Sequence, residues 1–105
     1  MNLNWTSISI HRDLSEDFIR KYHYFLEWKF ISRDQKLSDD FLIEFEDKII
    51  WPYYFYNEKP SFLMLKRHIL KVSNEFSASI SLEHLNDYEQ QEINRIMNLK
   101  QLFTI

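Results

Sequence analysis

The chain has no cysteine and no glycine among its 105 residues, and only two prolines, Pro52 and Pro60. Lack of cysteine excludes disulfides, thiolate metal sites and thiol nucleophiles. Lack of glycine excludes a phosphate-cradling loop, a nucleophile elbow and a dinucleotide fingerprint, each of which needs a backbone that turns sharply or approaches a ligand closely. Ala78 is the single alanine and Val72 the single valine, whereas Ile, Phe, Tyr, Lys and Asn are plentiful, the usage of AT-rich coding sequence. Long apolar runs are missing too. No segment approaches the roughly 20 apolar residues that span a bilayer, and Met1-Asn2-Leu3-Asn4 lacks the basic-then-apolar order of a leader. The expectation is a soluble, cytoplasmic chain with no membrane partner. A net charge of −3 weighs against the broad basic surface that non-specific nucleic-acid binding requires.

What remains is apolar and aromatic. Hydrophobic residues make up 45% of the chain and aromatic residues 17%, enough for one core, so a single domain over residues 1–105 is expected. Trp5, Trp28 and Trp51 are spaced by 23 residues. Setting residues 5–27 above 28–50 pairs Ile8 with Ile31, Ser9 with Ser32, Leu14 with Leu37, Ser15 with Ser38, Asp17 with Asp40 and Phe18 with Phe41. A third copy, residues 51–73, keeps Trp51 and Ser61 but has otherwise drifted, and residues 74–105 read as a C-terminal cap.

Each copy carries a helix start. Ser15, Ser38 and Ser61 suit N-caps, and the acids Glu16, Asp17, Asp39 and Asp40 complement the positive helix end. Leu14 and Ile19 sit at the positions of a hydrophobic staple. Phe18, Ile19, Tyr22, Phe25 and Leu26 then follow helical spacing for about three turns, as do Phe41, Leu42, Phe45 and Ile49. The segment opened by Trp28 reads as a short helix. The alternation from Leu26 to Phe30 and the β-favouring run from Ile49 to Tyr56 leave a strand as the alternative. In the tail, Asn86 and Glu89 form a capping box ahead of a terminal helix, and residues 73–81, with four serines, suit a loop. The fold expected is all-α: a small α-solenoid-like stack of about three helix-turn-helix units with a capping helix.

The pattern Trp-x-x-Ile-Ser followed by Leu-Ser-x-Asp-Phe-Ile/Leu resembles short tandem repeats of uncharacterised phage and giant-virus proteins, over residues 5–73. That resemblance implies a viral or prophage origin and a scaffold for binding, and it brings no activity with it.

The residues supply no catalytic constellation, and no enzymatic activity, metal or cofactor is expected. His11, His23, His68 and His84 lack the spacing that places two imidazoles on one helix face. His11 and His23 align with Asp34 and Glu46, which suggests solvated positions. The acidic pairs are explained by helix starts, and the tryptophans by packing between helices. The third copy departs from the others. Ser9 and Ser32 become Phe55, Ile10 and Arg33 become Tyr56, and the copy holds four basic residues against Glu58 alone. Tyr53, Phe55, Tyr56, Lys66, Arg67 and Lys71 are therefore the candidate partner-binding residues, since aromatic and basic groups together typify binding hot spots. The function expected is a non-enzymatic protein-binding module that takes a host or viral protein in the host cytoplasm, in its sharpest form an inhibitor of a host defence protein such as a CRISPR effector. Nucleic-acid binding through the third copy, or self-assembly into a structural array, is the alternative.

Overall fold

The computed structural model describes residues 3–11, 13–56, 60–73, 77 and 80–103. Among the described residues there is no strand. The helices are α1 (Trp5–Ile10), α2 (Glu16–Lys21), α3 (Trp28–Asp34), α4 (Asp39–Glu44), α5 (Trp51–Tyr54), α6 (Phe62–His68) and α7 (Asp87–Phe103), with a 3-10 turn at Ile69–Lys71. The Trp28 segment is the short helix expected rather than the strand, and Trp5, Trp28 and Trp51 each open a helix. No described helix is long and apolar enough to cross a membrane.

The chain forms two compact units, Met1–Tyr54 and Phe55–Ile105. The boundary falls inside the expected third copy, leaving α5 in the first unit and α6 in the second.

In the first unit the helix starts are local chemistry. Ser15 Oγ accepts from the Phe18 amide at 3.1 Å, and Ser38 Oγ from the Phe41 amide at 3.2 Å. These helices are shorter than the apolar stripes suggest. α2 stops at Lys21, where Tyr22 (φ −112°, ψ 21°) donates its N–H to Phe18 O. α4 stops at Glu44, where Phe45 (φ −108°, ψ 28°) donates to Phe41 O. Both stopping residues lie near the bridge region, which any L-residue can enter, so neither end needs the left-handed residue that usually favours glycine. No described residue has positive φ. Beyond the stop, Phe25 belongs to a turn and is 59% exposed, with its ring stacked on Trp5 at 5.1 Å. Leu26 still reaches the core.

That core gathers Ile19, Leu26, Ile31 and Phe41, with Trp5, Ile8, Leu14, Phe18, Tyr22, Trp28, Leu37 and Phe45 packed against it. Polar links recur through it at the 23-residue spacing. Buried Ser9 accepts from the Glu27 amide at 2.8 Å and donates to Trp5 O at 2.7 Å. Buried Ser32 accepts from the Ile50 amide at 3.0 Å. Each serine therefore holds the backbone that enters the next tryptophan helix. Glu16 does more than complement its own helix, because its carboxylate accepts from the Ser38 N–H at 2.7 Å and the Ser38 hydroxyl at 3.0 Å.

The second unit packs α6 and its 3-10 turn against α7. Ser61 Oγ caps α6 by accepting from the Met64 amide at 3.2 Å. The α7 start is the expected capping box, with Glu89 N–H donating to Asn86 Oδ1 at 2.8 Å and Asn86 N–H to Glu89 Oε1 at 3.0 Å. Met64, Leu65, Ile69 and Ile93 are fully buried. Of the loop expected at 73–81, residues 74–76 and 78–79 lie outside the described residues. Ser77 is helical, and its N–H donates to Ser73 O at 2.9 Å.

Candidate functional site

The six candidate binding residues do not form one group. Tyr53 lies on α5, in the first unit, and is 36% exposed. Phe55 is only 3% exposed and belongs to the interior, which removes it from any binding surface. The reason is positional: Phe55 aligns with Ser9 and Ser32, both fully buried, so the third copy places a large apolar residue at an inward-facing site. Tyr56, one residue later, is 66% exposed.

Lys66, Arg67 and Lys71 are all exposed, on α6 and the 3-10 turn that prolongs it. Lys66 Nζ sits 4.7 Å over the Phe62 ring, which meets Tyr88 of α7 edge-on at 6.5 Å. Across on α7, Glu92 accepts from Arg95 at 2.8 Å. That hydrogen bond, followed by the charges of Arg95 and Lys66, holds the Glu92 carboxyl below its ordinary range. Residues 60–73 contain these three basic side chains and no acid. Glu58 and Lys59, the remaining charges of the third copy, lie outside the described residues.

The histidines divide. His11 is exposed, whereas His23 is half-buried: its Nδ1 lies 2.7 Å from Arg20 O, its ring 5.5 Å from Phe45, and its carbonyl accepts from Trp28 Nε1 at 2.9 Å. The expectation of a solvated His23 is corrected, because the turn after α2 folds the ring back onto the next helix pair. His68 is buried. Among the described residues no three His, Asp or Glu side chains converge on a point where a metal could sit. A shallow open depression lined by Ser7, Ile8, His11 and Leu14 holds, among the described residues, one titratable side chain.

Lys100 is a polar feature that sequence reasoning missed. Although α7 presents Ile93, Ile96 and Met97 at core spacing, the next position on that face is this lysine, 8% exposed. Its Nζ donates to Ile69 O at 3.1 Å and to Val72 O, closing the carbonyl end of the 3-10 turn. Burial lowers the Lys100 pKa from its ordinary 10.5. Between that lowered value and 10.5 the unfolded chain binds more protons than the folded one, so stability rises with pH through this window. In denaturant titrations carried up to pH 10.5, the wild type is expected to gain on Lys100→Met once the pH passes the lowered pKa. A constant gap between the two would contradict this role.

Compared with family models, curated proteins and solved structures, the chain has no match.

Proposed function

We propose that the chain is a non-enzymatic protein-binding module of phage or viral origin, acting in the cytoplasm of a host cell, and that the second unit carries its partner surface. The observation behind this reading is the segregation of charge and aromatic surface. Exposed Tyr56 shares a compact unit with Lys66, Arg67 and Lys71, and these three basic residues fall in the acid-free stretch 60–73, while the net charge of the whole chain is −3. An aromatic and an arginine at the centre of a contact commonly supply most of its energy. The partner class is a host or viral protein, and the sharpest form of this reading is inhibition of a host defence protein such as a CRISPR effector. The same acid-free stretch favours nucleic acid as the second reading, and affinity for it would fall steeply with salt.

The test is retention by the immobilised chain of a defined host or viral protein, identified by mass spectrometry. The double variant Tyr56→Ala/Arg67→Glu is expected to lower retention at least about tenfold, with helicity unchanged by circular dichroism. Undiminished retention would remove these residues from the site.

A further inference from the structure

The exposed residues of α4 and α6, with the turns that follow them, carry opposite charge beside apolar groups. On α4, Asp40 and Ile43 are exposed three residues apart, and Asp47 is exposed in the turn that follows the helix. Glu44, beside them, bonds Arg20 at 2.9 Å, whereas Asp40 and Asp47 form no ion pair among the described residues. On α6, Leu63 and Lys66 are exposed at the same interval, and Leu70 and Lys71 are exposed on the 3-10 turn that follows. The 23-residue spacing aligns Asp40 with Leu63, Ile43 with Lys66 and Asp47 with Leu70. Acid flanks an apolar centre on one face, and base accompanies apolar groups on the other.

We propose that two copies of the chain associate by setting the α4 face of one against the α6 face of the other. Ile43 meets Leu63 and Leu70, while Asp40 and Asp47 meet Lys66 and Lys71. Each face repels its own kind, so charge selects the unlike pairing and guides encounter more than it adds affinity. Two short helices bury less surface than a stable interface needs, so the association depends on concentration and is weakened by salt.

Light scattering on the full chain, from micromolar to millimolar at low salt, tests this directly. The mass is expected to rise from monomer to dimer and beyond, because each contact leaves one α4 face and one α6 face open, and to return to monomer at high salt. Lys66→Glu/Lys71→Glu and Asp40→Lys/Asp47→Lys are each expected to stay monomeric with unchanged helicity. An equimolar mixture of the two variants is expected to associate again, because each acidic face then finds a basic one on the other chain. A monomer at every concentration would overturn the inference, as would association indifferent to both charge reversals. So would a monomer in which the reversals change only thermal stability, since the faces would then act within one chain. The two readings share Lys66 and Lys71 but fail separately, because self-association is read as the mass of the chain alone and partner binding as retention of an added protein by the Tyr56→Ala/Arg67→Glu variant.

Discussion

Phe41→Ala is expected to cost about 3–5 kcal/mol, the usual loss for a fully buried phenylalanine. The ring is fully buried, lies 4.7 Å from Phe45 and 6.5 Å from Trp28, and has the Arg20 guanidinium 5.2 Å above it. Truncation leaves a cavity between these groups that only a rearrangement of the first unit could fill. Total stabilities of small domains are about 5–15 kcal/mol, so a loss of this size is expected to bring the variant close to its unfolding midpoint in mild denaturant. Phe18, its counterpart 23 residues earlier, is half-buried and packs on Tyr22 at 4.7 Å. Phe18→Ala is therefore expected to cost clearly less. Urea titrations of both variants measure the difference, read as a shift of midpoint at constant slope. Equal losses would contradict the burial assigned to the two rings.

Ser32→Ala is expected to cost about 1–3 kcal/mol, although it removes a single atom, because the Ile50 amide then loses its acceptor inside the unit. Ser9→Ala should match it, since the Glu27 amide stands in the same relation to Ser9 Oγ. Both losses exceed what an exposed serine would show. An unchanged midpoint in either variant would mean that the amide finds water or another acceptor.

Features encoded within a few residues were the ones legible in the sequence. The caps at Ser15, Ser38 and Ser61 and the Asn86–Glu89 box each join side chain to backbone three residues away. Helix length was not legible in the same way. Tyr22 and Phe45 keep the helical apolar spacing, and their non-helical dihedrals follow from the turn that must deliver Leu26 and Ile49 to the core.

The pairing of Ser9 with Ser32 was visible as an identity, but its purpose depends on an amide 18 residues away. The burial of Phe55 was available by comparing copies, had Ser9 and Ser32 been read as interior. Lys100 also left a trace, at core spacing from Ile93 and Met97. A lysine there reads as an interruption of the stripe until the carbonyls of Ile69 and Val72 are found beneath it.

Amide hydrogen exchange at Glu27 and Ile50 tests most directly the claim that buried serines link one tryptophan helix to the next. Both residues lie outside every helix, where unlinked amides exchange quickly. The serine bonds predict protection comparable to that of the amides within α3, lost at Glu27 in Ser9→Ala and at Ile50 in Ser32→Ala. Fast exchange at both positions in the wild type would contradict it.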